Sequence, residues 1–493
     1  MDNISKAKEL LETGKHTLVL CKGKTVYTSD LSGTDPMKDF LARGVNLQGF
    51  SAADKVVGLA AAQLFIKAGV AAVYGKVTSR RAKEAFEKKG IAVSYGKLTN
   101  FIKNKKGTGI CPMEVRAARL LNGGKLGFGV MRMPLLNKDD PTSFDYEQIN
   151  KMTDEFLGAG FDYFDTAHVY HGGKSEEMVK KCLVQRYPRD CFRVATKLPL
   201  WDIKTRADMQ KIFDKQLENC GVTYFDNYLL HAVNNDKYKT IKELDAFGFG
   251  FNLKKQGLVK EFGFSIHDTP DLLDEILTEN PGVDFVQLQI NYADWDNAAV
   301  ASRRCYAVAL KHNVPVIVME PVKGGTLATG LPDKAAELFK EFAPDASLAS
   351  WAIRYCASLP GVKTVLSGMS NREQMRDNLS FMREFKPLAP EETAVVNQVQ
   401  EIIKQTTAIG CTGCGYCVAD CPQKIAIPDY FALYNDAKRN PASLGAVMYY
   451  RNISATRGKP SSCLKCGACE SKCPQKLEII KSLKLVAGLF EQQ

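Results

Sequence analysis

Between Lys125 and Ser367 the chain alternates short apolar runs with amphipathic stretches, and the alternation repeats eight times. The runs are Lys125–Met131, Tyr163–Thr166, Arg193–Lys197, Asn227–His231, Glu261–Ile266, Phe285–Asn291, Pro315–Met319 and Val362–Ser367. Each is too short for a helix and has the composition of a buried strand. Helix-period segments separate successive pairs, among them Tyr146–Ala159, Ser175–Gln185, Arg206–Cys220 and Asp271–Glu279. Eight strand–helix units over roughly 260 residues predict a (β/α)8 barrel. A doubly wound sheet is the alternative, but no Gly-x-Gly-x-x-Gly follows an early strand to bind a dinucleotide.

The flanks read differently. An amphipathic start (Ile4, Ala7, Leu10, Leu11) precedes a strand pair, Thr17–Cys21 and Thr25–Thr28, joined through Lys-Gly. The pattern then predicts a helix from Ala52 to Lys67, a strand at Val70–Tyr74, a helix at Ser79–Lys89 and a strand at Ile91–Tyr95. Lys103–Gly109 is a natural linker. After Lys386-Pro387 the chain is helical at Glu391–Lys404 and again around Tyr430–Lys438. We therefore expect an α/β protein of three units: a small α/β domain over 1–114, the barrel over 115–385, and a helical tail over 386–493.

Charge changes this picture little. The net formal charge is +11, but the lysines are spread through helical stretches, and no basic run is interleaved with aromatics as a nucleic-acid groove requires. A solvated lysine-rich surface with some attraction for phosphorylated ligands is the expectation, with no nucleic-acid partner. The N-terminus lacks a signal-type apolar core, and the most apolar stretch, Val56–Val73, is broken by Gln63 and Lys67. No membrane association is expected, and the predicted location is cytoplasmic.

The 15 cysteines should then be reduced thiols. Seven are scattered, Cys21, Cys111, Cys182, Cys191, Cys220, Cys305 and Cys356, and most suit buried apolar positions. Eight form two groups: Cys411-x2-Cys414-x2-Cys417-x3-Cys421-Pro422 and Cys463-x2-Cys466-x2-Cys469-x3-Cys473-Pro474. This is the bacterial two-cluster ferredoxin spacing written twice, in which three cysteines hold one 4Fe–4S cluster and the fourth reaches the other. Small residues between the ligands, such as Gly413, Gly415 and Gly467, let backbone amides approach the sulfurs. Structural zinc is the competing reading, but zinc sites normally pair two Cys-x2-Cys units across a longer gap. The tail is expected to hold two 4Fe–4S clusters.

In the barrel, catalytic groups belong at the C-terminal strand ends. Those positions carry Asp165 and Tyr170 after the second strand, Lys197 ending the third and His231 ending the fourth. A phenol beside an ammonium held by a carboxylate is a proton donor for a carbonyl, and the positive charge is expected to lower the phenol pKa. His231 would orient the carbonyl oxygen or share the proton transfer. His168 and His171 read as pocket or surface residues rather than metal ligands.

Phe164-Asp165-Thr166-Ala167-His168-Val169-Tyr170, Ala195-Thr196-Lys197 and Tyr228-Leu229-Leu230-His231 resemble the aldo-keto reductases over about Lys125 to Met382. All four members of the family's Asp–Tyr–Lys–His tetrad match in order. With the cysteine-rich tail, the chain resembles the ferredoxin-tailed branch, found mainly in bacteria and archaea. The resemblance implies a nicotinamide cofactor, NADP(H) or NAD(H), lying across the barrel mouth. By position, Ser265 and Gln287 would hold its carboxamide, and Gly129 would lie near the nicotinamide. Glu320, Gly324 and Gly325 would line the pyrophosphate, and Gly368, Arg372, Gln374 and Asn378 the adenosine end. Ile266 replaces an asparagine common in the family, and Met319 stands where an aromatic often stacks. Gly368 replaces the basic residue read as a 2′-phosphate contact, leaving Arg372 or Lys323 as substitutes.

The N-terminal unit, through Ser51-Ala52-Ala53-Asp54-Lys55-Val56-Val57-Gly58 and Cys111-Pro112-Met113-Glu114, resembles an uncharacterised domain family with a cytidine-deaminase-like fold. It lacks the zinc-deaminase signature, so neither zinc nor deamination is predicted. The expected function is oxidoreduction: hydride transfer between NAD(P)H and a small carbonyl or alcohol, with clusters exchanging electrons with a protein donor or acceptor. The alternative is an electron-transfer or redox-sensing protein whose barrel only binds cofactor.

Overall fold

The computed structural model describes residues 2–122, 124–296, 300–406, 408–439, 450, 451, 453–455 and 457–491. Near the N-terminus, β1 (Leu18–Lys22) pairs antiparallel with β2 (Thr25–Ser29) and β3 (Ser51–Val57). Two more strands, β4 (Ala72–Ser79) and β5 (Ala92–Thr99), continue the sheet parallel to β3, giving the order β2-β1-β3-β4-β5. The stretch expected to start a helix at Ala52 is therefore strand up to Val57. The Ala52-Ala53 pair favours a helix and Asp54-Lys55 interrupts the two-residue alternation, so pairing with the neighbouring strands, not the local pattern, decides this element. Ala52, Ala53 and Val57 are fully buried, and the helix Leu59–Lys67 begins only after Gly58. The helix Asp35–Ala42, opened by a proline in its first turn, is an element the apolar pattern does not predict.

The barrel is closed as expected. Its strands are β6 (Leu126–Gly129), β7 (Tyr163–Asp165), β8 (Arg193–Pro199), β9 (Phe225–Val233), β10 (Val259–Ile266), β11 (Phe285–Gln289), β12 (Val316–Met319) and β13 (Val362–Ser367). They pair in parallel, and β13 returns to β6. Tyr163, Ala195, Leu229, Phe285, Ile317 and Leu366 fill the interior as one buried layer. That plug leaves the C-terminal strand ends as the one wide mouth such a barrel uses for chemistry.

Two helices join the barrel to its neighbours. Pro112–Leu121 packs on both the helix Leu59–Lys67 and the barrel helix Tyr146–Gly158. Pro390–Thr406 puts Val395, Val396 and Val399 into the barrel core, and Gln400 Nε2 donates to the carbonyl of Tyr292 at 2.6 Å. Beyond it, the tail packs Ile425, Ile427, Tyr430, Phe431 and Leu483 into a separate core. Its two halves repeat the same turns: Gly413 and Lys465 are left-handed (φ 69° and 57°), as are Gly415 and Gly467, and Lys424 and Lys476. Among the described residues no helix is long and apolar enough to cross a membrane.

Candidate active site

The four predicted catalytic side chains meet at the barrel mouth. Lys197 Nζ donates to Asp165 Oδ1 at 2.6 Å and to the Thr166 carbonyl at 2.7 Å. Its third direction faces the Tyr170 hydroxyl, 3.5 Å away. The His231 ring stands edge-on to Tyr170, 6.2 Å between centroids, and packs against Trp201. Behind Lys197, the fully buried Glu176 accepts from Thr196 at 2.8 Å and from Gln216 at 2.9 Å, while Gln216 also donates to the Lys197 carbonyl. The ammonium therefore points at the phenol because strand β8 is fixed from the rear.

Burial dominates the titration of this group. It pushes the Asp165 carboxyl up, with the Lys197 ammonium opposing. Tyr170 is also held well above its ordinary value, by burial first and then by Asp165 and Glu320, with Arg132 opposing. This reverses the expected lowering by Lys197: the ammonium is spent on Asp165 at close range, and the phenol sits in a dry pocket. His231 is held well below its usual range by burial and then by Lys197, so the ring is neutral.

One cavity of about 250 Å³ runs over these residues, near the lower end of ligand pockets at ~300–1,000 Å³. Four buried polar atoms around it lack any partner: Asp165 Oδ2, His231 Nδ1, Gln287 Oε1 and Glu320 Oε2. Buried polar groups are nearly always satisfied, so such a concentration marks a place where a polar ligand completes the bonding.

The tail gathers its cysteines as two crossed rings. Cys411, Cys414, Cys417 and Cys473 line one cavity with Ile427, Phe431 and Leu477. Cys421, Cys463, Cys466 and Cys469 line the other with Ile425, Ile427 and Leu483. Each ring takes three thiols from one motif and the fourth from the other. Among the described residues no three His, Cys, Asp or Glu groups are placed to hold a single metal ion. Three thiols from one motif and a fourth from the other is the crossed pattern of two-cluster ferredoxins. Amides of Gly413 and Ile425 point at Cys411 Sγ and Cys421 Sγ, both at 3.5 Å. As free thiols Cys411 and Cys417 are pushed up by burial, to about 11 and about 12.

The profile of the Aldo/keto reductase family matches residues 125–401. The chain belongs to the aldo/keto reductase family. A 4Fe-4S dicluster domain matches residues 410–478, and a domain of unknown function (DUF1893) matches residues 6–122. The "Uncharacterized oxidoreductase YqkF" of Bacillus subtilis (strain 168) is 24% identical over 258 residues, which are 46% of this chain and 79% of that protein. Among solved structures, aldo-keto reductase AKR11C1 from Bacillus halodurans (holo form) is 24% identical, with a TM-score of 0.45, covering 56% of this chain and 91% of that one. An aldo-keto reductase from Klebsiella pneumoniae in complex with NADPH is 19% identical, with a TM-score of 0.45, covering 56% and 90%.

Of the residues that the aldo/keto reductase resemblance assigns to the cofactor, Gly129, Ser265, Gln287, Glu320, Gly324, Gly325, Gly368, Gln374 and Asn378 line the cavity. Ser265 Oγ accepts from the Ala232 amide at 2.8 Å, leaving its hydrogen to donate. Gln287 is 2% exposed with its carbonyl oxygen unpartnered, a ready acceptor for an amide. Arg372 is not in the lining; its guanidinium bonds Glu155 at 2.6 Å. Lys323 is buried too, donating to Asp294 at 2.5 Å. Neither basic substitute considered for the 2′-phosphate is free in this arrangement.

His168 and His171 are likewise absent from the lining. His168 faces Glu176 at 3.8 Å, and His171 accepts from the Met133 amide and bonds the Pro141 carbonyl, pinning the Tyr170 loop. Sequence reasoning missed Arg132, His267, Gln289 and Tyr416, all of which line the cavity. Arg132 stands 3.6 Å from Glu320 and, among the described residues, is the only arginine lining the cavity. Its place at the end of the short turn Val130–Arg132 that follows β6 was the available signal.

Proposed function

We propose that this aldo/keto reductase moves hydride between NAD(P)H and a small carbonyl or alcohol, with Tyr170 exchanging the proton. The observation that carries this reading is the Tyr170 hydroxyl 3.5 Å from Lys197 Nζ in a cavity whose polar atoms await a ligand. The nicotinamide, when bound, supplies the hydride at its C4. Ser265 and Gln287 would orient its carboxamide, the glycines of the Gly324-Gly325 loop would admit its pyrophosphate, and Arg132 would offset the phosphate charge.

In the reducing direction the neutral His231 holds the carbonyl oxygen, and Tyr170 gives its proton to the alkoxide as this forms. An alkoxide is a far stronger base than a phenolate, so a raised phenol pKa does not impede that transfer. Lys197 then stabilises the phenolate left behind, and Asp165 keeps the ammonium in place. The rings Cys411, Cys414, Cys417, Cys473 and Cys421, Cys463, Cys466, Cys469 would hold two 4Fe–4S clusters, which supply single-electron storage.

We read the functional units as 1–114, 115–385 and 386–493, with the helices Pro112–Leu121 and Pro390–Thr406 as joints. We assign the protein a reducing, cytoplasmic setting, because the eight clustered cysteines must stay reduced to hold clusters, and give the tail a protein electron partner. Anaerobic titration of the cluster-replete protein with NADPH and NADH, read by intrinsic fluorescence, tests the cofactor reading. Saturable quenching by at least one supports it; no response to either removes it. The rival reading, a redox sensor whose barrel only binds cofactor, draws on Cys414 and Tyr416 lining the cavity. It predicts that Tyr170→Phe changes nothing measurable.

A further inference from the structure

The tail meets the barrel mouth at two points on either side of one cysteine ring. On one side Gln475, 3% exposed, donates from Nε2 to Gln289 Oε1 at 2.9 Å. Gln289 lines the barrel cavity and donates onward to Asp294 at 3.1 Å, the carboxylate that also holds Lys323 beneath the glycine loop. On the other side, a Cβ placed on Gly324 would stand 2.0 Å from the Thr412 carbonyl oxygen, so the glycine loop and the ring loop touch backbone to backbone. Thr412 and Cys414 line the barrel cavity and the ring cavity alike. Tyr416, two residues past Cys414, faces the cavity that holds Tyr170 and remains 39% exposed. An aromatic ring partly open over a ligand cavity offers a contact surface for a ligand.

We propose that the barrel cavity and the ring Cys411, Cys414, Cys417, Cys473 form one coupled site: Tyr416 contacts the ligand in the cavity, and the charge on the ring's cluster sets how tightly an anionic dinucleotide is held. This rests on the nicotinamide reading above. Reducing the cluster by one electron adds one negative charge at a wall shared with the cavity, where little water screens it. A ligand carrying phosphates is then held more weakly by the reduced protein. Coupling between two binding equilibria is reciprocal, so the same ligand makes that cluster harder to reduce. The second ring does not line the barrel cavity, and its cluster serves as an internal control.

The test uses the full-length, cluster-replete protein and tetrahydro-NADPH, an analogue unable to give hydride. Midpoint potentials are measured by anaerobic potentiometry with electron paramagnetic resonance, and affinities by fluorescence on oxidised and dithionite-reduced protein. We expect about tenfold weaker binding to the reduced form and one of two potentials lowered by about 59 mV, the one-electron equivalent. Tyr416→Ala should keep both cluster signals and weaken binding of the analogue to both redox forms; binding as tight as in the wild type overturns the Tyr416 contact, and if the variant loses iron, the wild-type comparison decides alone. Binding of the analogue with both potentials unmoved overturns the coupling and leaves the nicotinamide reading standing. No binding in either redox state overturns both.

Discussion

Lys197 Nζ lies 2.6 Å from Asp165 Oδ1, and neither side chain is more than 4% exposed. A buried pair this close is costly to break from one side, since the remaining charge has no partner and no water. Lys197→Met should therefore destabilise the barrel by about 3–5 kcal/mol, and the double variant with Asp165→Asn should recover much of it. Calorimetry of the three proteins checks this; equal stability of single and double variants would show that the pair is not coupled.

Tyr170→Phe removes only the hydroxyl that faces Lys197. Carbonyl reduction should fall by about 10²–10⁴-fold in kcat, the usual contribution of a positioned acid, while nicotinamide affinity stays within twofold or so. Steady-state kinetics alongside fluorescence titration separates the two quantities. An unchanged kcat would favour the redox-sensor reading.

The shifts at Tyr170 and His231 fix the pH behaviour. Because the phenol is held above its ordinary value, it stays protonated through neutral pH. Reduction, which needs the proton, should stay level from pH 6 upward and fall only above about 10, the free phenol value. Alcohol oxidation, which needs the phenolate, should climb steadily with pH over the same window. His231 is neutral throughout, its value being depressed, so no step should appear near 6.5. A reduction rate that falls between pH 6 and 7 would mean that an imidazolium takes part.

Gly324 is left-handed (φ +67°) and abuts the Thr412 carbonyl. Gly324→Ala combines backbone strain of about 1–3 kcal/mol with a direct clash, and the tail must move to relieve it. The barrel should keep its fold while iron content or cluster absorbance falls, because the displaced loop carries Cys411 and Cys414. Full iron occupancy with an unchanged melting profile would show that this contact does not hold the tail in place.

Cys466 is the exposed member of its ring. Cys466→Ser should lower the cluster content of one ring while the electron paramagnetic resonance signal of the other persists, since the rings share no ligand. Loss of both signals together would contradict two separately ligated clusters.

The sequence carries the barrel and its tetrad well, and for a physical reason. The barrel strands are short apolar runs, and in three of them a polar residue, Asp165, Lys197 or His231, ends or interrupts the run near the mouth, where it stands out. The β3 strand is hidden because Ala52 and Ala53 are good helix formers, Asp54-Lys55 breaks the two-residue alternation, and the helix Leu59–Lys67 follows at once. Contacts between units leave no such trace: Gln289 and Gln475 are 186 residues apart, and nothing in either neighbourhood marks them as partners. Arg372 and Lys323 look like phosphate ligands until Glu155 and Asp294, each far away in the chain, are seen to occupy them. Arg132 was legible in principle, but a lone arginine after a strand is not distinctive.

The most direct test of the central claim follows deuterium. Cluster-replete protein is incubated with NADPH carrying deuterium at C4, on each face in turn, and a panel of simple aldehydes and ketones, and the alcohols are analysed by mass spectrometry. The account predicts one deuterium on the carbinol carbon from one labelled face only, with Tyr170→Phe forming far less of the same labelled product. Alcohol that carries no deuterium from either face, or equal turnover by Tyr170→Phe, would contradict it.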